Sequence, residues 1–545
     1  MSSTDSISGS TLATPVRTRV PGFVRVHDRS RPSRVLLAFS ALTAAVAVIP
    51  LVYLVVRVIG AGPDRVIEVL WRARTLETIL TSAAFVFVVT TACLIIGITA
   101  AWLITRTNIP LRGLWLVLLA LPLAMPSYVA AYAWLAQFPW MSGFAAAALI
   151  MILVSFPYVA LPTAAAFRLA DPGVDEVARS LGRGPFRAFT SATFPQIWPA
   201  AAAGGLLVAL YTLSEFGVVA LMRVDTFTRV IYASYRGSFD RVSAAVLALV
   251  LVALAALLVW AERRVRGRQQ RWRVAASVQR DHVPMQLRRG TRVTAISGLI
   301  ALIVLALGVP IVSLIDLMLR STDLRFDPAE LFTATVSSAG VSLLGAIIAV
   351  ALALPVGILA ARYRTRSVRG IETVSYAGHA LPGVVVGLSL VFLTLGVLPF
   401  AYQTLFTLAL AYAVLFLPKS IGATRSATAA VPPVLEDTAR TLGRGPVRAW
   451  WSTTARLTAP GVLAGGLLVL LTSMKELPAT LMLRPTGLDT LATELWSRTE
   501  IAAYGPAAPY ALALIALAAV PAWLLSRAMG PDARGRRGTP DTVGA

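Results

Sequence analysis

The chain has 545 residues, of which 57% are hydrophobic and only 14% charged. A soluble fold needs about a quarter of its residues charged to cover its surface, so this composition excludes a water-solvated globule and makes lipid the main solvent. The net charge of +23 comes almost wholly from arginines lying between apolar runs, with no basic domain of their own, which points to membrane topology and away from nucleic acid.

The N-terminal tail, 1–34, is polar and then basic at Arg25, Arg29, Arg31 and Arg34. The apolar run after it is too long for a signal-peptide core, so it reads as an uncleaved first span with its N-terminus inside. A span needs about 20 mostly apolar residues to cross a hydrocarbon layer of roughly 30 Å. Such runs cover about 35–59, 79–104, 114–135, 144–167, 199–222 and 242–261 in the first half. Cys93, the only cysteine, sits inside the second run as a small packing residue, so no disulfide or cysteine metal cluster is available.

A basic segment, 262–292, carries Arg263, Arg264, Arg266, Arg268, Arg271 and Arg273, as expected of a cytoplasmic linker. Six further runs cover about 293–319, 336–361, 374–398, 404–423, 461–483 and 509–529, followed by a basic tail, 530–545. The segments after the third and ninth runs, 137–141 and 399–403, carry no charge, which sets both termini inside. The expectation is an all-α integral membrane protein of about 12 transmembrane helices.

The halves repeat in sequence. DEVARSLGRGPFRA (175–188) matches EDTARTLGRGPVRA (436–449) at an offset of 443 − 182 = 261. Six spans per copy is an even number, so both copies enter the membrane in the same direction, a parallel repeat. The repeats are assigned to 35–261 and 293–529, with the loops at 171–199 and 432–460. In the first loop Pro172 suits an early helical position, Asp175 and Glu176 favour a helix N-terminus, and Gly182 ends the helix. Gly184 and Pro185 turn the chain into a second short helix, with Arg179, Arg183 and Arg187 spaced along the bracket. Pro433, Glu436, Asp437, Gly443, Gly445 and Pro446 repeat the plan. A partner that pushes on a membrane protein needs a rigid knob, and two equivalent knobs imply a two-fold partner.

These loops resemble the EAA loop of ABC-importer permeases: E-A-A, three residues, G, nine residues, then I-x-L-P. Glu176, Val177, Ala178, Gly182, Phe194 and Pro195 follow that pattern. In the second copy Ala439 and Gly443 agree, whereas Asp437 replaces the glutamate, and Ala455 and Arg456 stand where leucine and proline are usual. The resemblance implies two type I importer permease repeats whose loops dock into a dimeric ATPase. The docking residues would be Glu176, Ala178, Gly182, Arg183, Gly184 and Pro185, with Asp437, Ala439, Gly443, Arg444, Gly445 and Pro446. No GxxxxGK followed by Ser or Thr occurs, so ATP is hydrolysed by another subunit and this chain is expected to bind no cofactor and to be no enzyme.

The same offset maps Glu215 onto Glu476, two carboxylates at matching depth in the span after each loop. At about 1.5 Å per residue from Pro199, Glu215 lies roughly 24 Å from the inner face, in the outer third. Charge within a bilayer marks a functional site by default, although snorkelling or a structural pair is the competing reading. Lys475 has Ser214 as its counterpart, so the copies differ in charge at this level. His379, the only histidine within a span, either lines the passage, faces the other half or hydrogen-bonds a neighbouring helix. Tyr128, Tyr232 and Tyr235 are candidate oxygen ligands, the competing reading being the aromatic residues expected near membrane interfaces. Carboxylates suit a hard cation such as Fe³⁺.

Longer stretches are similar to the fused permeases of bacterial ferric-iron importers: LPLAMPSYVAAYAW (121–134), LSEFGVVALMRVDTFT (213–228), YRGSFDR (235–241), HALPGVVVGLSLVF (379–392) and KELPATLMLRPTGLDTLATELW (475–496). The similarity covers roughly 35–530 and implies an extracytoplasmic binding protein as a further partner. Permeases for thiamine, phosphonate, sulfate and polyamines share the fold and loop. A gradient-driven secondary transporter would lack paired docking loops, and no metal site is visible in the sequence.

Overall fold

The structure, a computed structural model, describes residues 32–237, 240–267, 285–320 and 327–529. The two tails and most of the basic linker, with Arg268, Arg271 and Arg273, lie outside the described residues.

In the first half α1 (Arg34–Gly60) and the short α2 (Pro63–Leu70) lead into α3 (Ala73–Arg106), followed by α4 (Arg112–Ala120) and α5 (Ser127–Gln137). Then come α6 (Gly143–Ser155), α7 (Pro157–Leu169), the small pair α8 (Pro172–Ser180) and α9 (Pro185–Ala188), and α10 (Phe194–Ser214). α11 (Gly217–Leu221), α12 (Phe227–Arg236) and α13 (Arg241–Gly267) complete it. The second half has α14 (Arg289–Ile303), α15 (Val309–Arg320), α16 (Pro328–Arg362), α17 (Arg366–Ser375), α18 (Gly383–Val397) and α19 (Leu405–Ala429). It ends with α20 (Val434–Thr441), α21 (Pro446–Trp450), α22 (Arg456–Ser473), α23 (Pro478–Leu483), α24 (Leu491–Glu500) and α25 (Tyr504–Met529). Among the described residues the only bridge of β type joins Thr107 to Met285.

Among the described residues ten helical runs are long and apolar enough to cross a membrane, and α4 with α5 makes an eleventh only as a pair bent by 87°. The expected third and ninth spans, 114–135 and 374–398, are therefore not single rods. A residue before proline is pushed out of helical geometry. Met125, before Pro126, has ψ 127°, and Leu381, before Pro382, has ψ 118°. The chain turns there and a new helix starts. α18 has 15 residues, about 22 Å of helix, short of a full crossing. The fifth and eleventh spans also end earlier than the apolar pattern suggests, α10 at Ser214 and α22 at Ser473.

Each half lends its first helix to the other. α1 packs on α16, α17 and α18, and the Thr43 hydroxyl donates 2.9 Å to the Leu352 carbonyl. α15 packs on α5 and α25, with the Ser313 hydroxyl donating 2.7 Å to Ala133. The two large apolar cores consequently each draw residues from both halves.

Within each half three packed helices form the main body: α3, α7 and α10, and likewise α16, α19 and α22. In lipid, helices gain most from close contact at small residues. Gly97 and Gly204 meet at Val159, and their counterparts Gly357 and Gly465 meet α19 at Thr424 and Ala423. A methyl group on Gly204 would overlap the Tyr158 carbonyl and stand 2.7 Å from the Val159 Cα. Backbone cannot give way as a flexible side chain would. Gly204→Val is expected to cost about 1–3 kcal/mol or more through overpacking, seen as a lower thermal midpoint of the detergent-solubilised protein. Gly113→Val, in open space, serves as the control.

Candidate functional site

The two loops form the same bracket. Asp171 caps α8, accepting 2.8 Å from the Gly173 N–H, and Pro172 occupies the first turn. The helix closes when the Gly182 N–H donates to Arg179 and the Arg183 N–H to Ala178, at 2.9 and 3.2 Å. That doubly bonded ending needs a left-handed residue, and Gly182 has φ +81°. In the second copy Gly443, φ +79°, and Arg444 make the same bonds to Arg440 and Ala439. The chain then reverses through α9 or α21 and enters the next span by a π-helical turn, Phe189–Thr193 or Trp451–Ala455.

Burial divides the predicted docking residues. Ala178 is buried with Ala188 and Ala192 in a small core that stiffens the bracket, and Ala439 is buried likewise. Gly182, Arg183 and Gly184 are exposed, as are Asp437, Gly443, Arg444, Gly445 and Pro446. The side chains of Glu176 and Pro185 lie outside the described residues. Each tip also carries a leucine, Leu181 at 74% and Leu442 at 77% exposure. A bare apolar side chain on a rigid knob suits a partner's cleft. These leucines adjoin the glycines in the sequence, where their apolarity was masked by a motif read for charge.

The second constellation lies at the helix breaks. Glu215 is not on α10 but just past it, 6% exposed. Its carboxylate accepts from the Val218 N–H at 3.0 Å and from the Ser127 hydroxyl at 2.9 Å. It thereby sits at the positive N-terminal ends of both α11 and α5. Glu476 does the same for the second half: it accepts 3.0 Å from the Ala479 N–H and fills the space above Gly383 at the start of α18. Each glutamate stitches two broken helices together. Tyr128, on α5, packs against Gly217 at the start of α11, next to the Glu215 cap. Its buried hydroxyl forms no hydrogen bond among the described residues.

Lys475, next to Glu476, turns to the other half and donates 2.9 Å to the Leu123 carbonyl, at the end of the turn before α5. Cations stabilise such C-terminal carbonyls. Sequence reasoning overlooked Lys419, on α19, whose ammonium lies over the Phe416 ring. The signal was present: Lys419 and Lys475 are the only two lysines among 49 basic residues, and both sit inside predicted spans. Offset 261 pairs Lys419 with Tyr158, so again charge belongs to the second copy alone. His379 falls in the turn Ala377–Ala380 between α17 and α18, and its side chain lies outside the described residues. Among the described residues no group of three or more His, Cys, Asp or Glu could hold a metal ion.

Two blocks, 93–271 and 353–527, match the family described as binding-protein-dependent transport system inner membrane component. Each block contains one bracket and one glutamate cap. The chain belongs to this family. It is the membrane-spanning permease component of an ABC importer. It is 33% identical to the Fe(3+)-transport system permease protein FbpB 2 of Haemophilus influenzae over 481 residues, 88% of this chain and 95% of that protein. It is also similar to two Escherichia coli proteins: the sulfate transport system permease protein CysT, 26% identical, and the molybdenum transport system permease protein ModB, 29% identical. Those matches cover 32% and 27% of this chain, and 70% and 69% of the two relatives. The first helix of each half, exchanged between halves, precedes the matched blocks.

Two outcomes test the two constellations. Around Gly182 and Gly443 space is open, so side chains there meet no neighbour and act only through φ. Valine at both should cost about 1–2 kcal/mol per site locally, abolishing uptake while membrane insertion survives; unchanged uptake would contradict the bracket's role. Lys475→Met removes a charge-assisted hydrogen bond between halves, about 1.5–3 kcal/mol. ATP hydrolysis by the assembled transporter without binding protein should then rise about tenfold.

Proposed function

We propose that this permease takes ferric iron from an extracytoplasmic binding protein and passes it inward by alternating access, driven by a separate ATPase dimer seated on the two brackets. The pair of rigid, equivalent knobs carries this reading. A passive pore or a gradient-driven carrier has no use for two of them. Support for iron comes from the FbpB 2 similarity, which runs through both halves, whereas the sulfate and molybdenum relatives each match about a third of the chain. The chain would itself bind no cofactor and catalyse nothing, with ATP used by its partner. Both termini and the brackets would face the cytoplasm of a bacterium, and the chain would sit in its inner membrane.

Closure of the ATPase on ATP would swing the two three-helix bodies relative to one another. The passage would be lined at the breaks by Glu215, Glu476 and Tyr128, with Lys419, Lys475 and His379 on the second-half side. When the halves separate, the Lys475–Leu123 contact is one that must open.

A second reading, transport of an oxyanion, draws on Lys419 and Lys475 and on the sulfate and molybdenum relatives. Proteoliposomes holding the permease, its ATPase and its binding protein separate the two. Radiolabelled iron uptake should require ATP and resist excess sulfate or molybdate. Competition by either anion would favour the second reading, and uptake on a proton or sodium gradient without ATP would sink both.

A further inference from the structure

Two adjacent acids of the second bracket face opposite ways. Asp437, at the motif's glutamate position, is exposed, whereas Glu436 is only 3% exposed. The Glu436 carboxylate accepts a hydrogen bond from the Thr454 hydroxyl and, at 3.3 Å, one from the Arg362 guanidinium, with Arg440 at 3.8 Å. Arg362 is the last residue of α16 and is itself buried, 8% exposed at the side chain. Its other terminal nitrogen donates 2.9 Å to the Val431 carbonyl, just past the end of α19. Thr454 belongs to the π-helical turn that leads into α22. The Glu436 carboxylate therefore joins α20 of the bracket to the end of α16 and to the turn into α22, and Arg362 carries the link on to the end of α19.

A buried ion pair is a poor device for stability alone, because apolar side chains of similar volume often do as well or better. What it supplies is one fixed geometry. Related residues occur in the first half: Arg106 ends α3 and donates 2.9 Å to the Phe167 carbonyl, Asp175 stands at 436 − 261 = 175, and Thr193 is buried at 454 − 261 = 193. The side chain of Asp175 lies outside the described residues.

We propose that Arg362, Glu436 and Thr454 form a strut that carries movement of the second bracket into α16, α19 and α22. Glu436 is a positioning residue, and the labour is divided: Asp437 faces the ATPase, Glu436 holds the membrane helices. This rests on the bracket being the ATPase dock.

The test uses the full chain with its ATPase and binding protein in proteoliposomes, measuring iron taken up per ATP hydrolysed and ATPase retained on co-purification. Glu436→Gln should retain the ATPase and lower uptake per ATP about tenfold, the effect of losing one charge-assisted hydrogen bond. Asp437→Asn should weaken retention of the ATPase on co-purification. Glu436→Gln leaves Arg362 without its carboxylate, so Arg362→Gln/Glu436→Gln, with no orphan charge, is measured beside it and should show the same fall. A normal ratio in either Glu436 variant overturns the strut. Failure of the unaltered chain to bind ATPase overturns the docking reading instead.

Discussion

A helix that breaks inside a bilayer leaves backbone N–H groups that lipid cannot satisfy, each at a cost of several kcal/mol. This protein breaks four helices near its centre, before α5 and α18 and after α10 and α22, and places two carboxylates where those ends meet. Non-helical backbone at membrane depth is tolerated only where protein or a water-filled cavity covers it. The central arrangement of the two halves follows from that constraint. The broken ends must face inward, toward each other, and the long unbroken helices α3 and α16 must stand around them.

The exchange of first helices has a mechanical consequence. Because α1 rests on the second half and α15 on the first, neither half has a complete core of its own. The two halves are therefore held together at their periphery as well as at their centre. The brackets stand at the opposite end of the same bodies, one turn of π-helix away from α10 and α22.

The halves are equal in backbone and unequal in charge. Caps, glycine seams and bracket endings repeat at nearly constant offset, since each is demanded by helix geometry. Lys419 and Lys475 have Tyr158 and Ser214 as counterparts. The two lysines therefore belong to the second half alone, and the contact Lys475 makes with Leu123 is one-sided. The backbone repeats across the two halves, and the lysine charge does not.

By itself the sequence determined what periodicity and local chemistry enforce. Apolar runs marked nearly every span, and Gly182 and Gly443 marked helix ends because only glycine takes a positive φ cheaply. The offset of 261 paired Glu215 with Glu476. Hydropathy could not show that the third, fifth, ninth and eleventh runs are interrupted, since a broken helix and a straight one share the same apolar composition. The prolines at 126 and 382 were the visible clue. Tertiary structure alone decided which acid turns inward, because Glu436 and Asp437 are adjacent, chemically alike, and separated only by the 100° between neighbours on a helix. It also decided that the glutamates cap helices and that Lys475 crosses to the other half. Those facts depend on contacts between residues up to 352 positions apart, and nothing local encodes them.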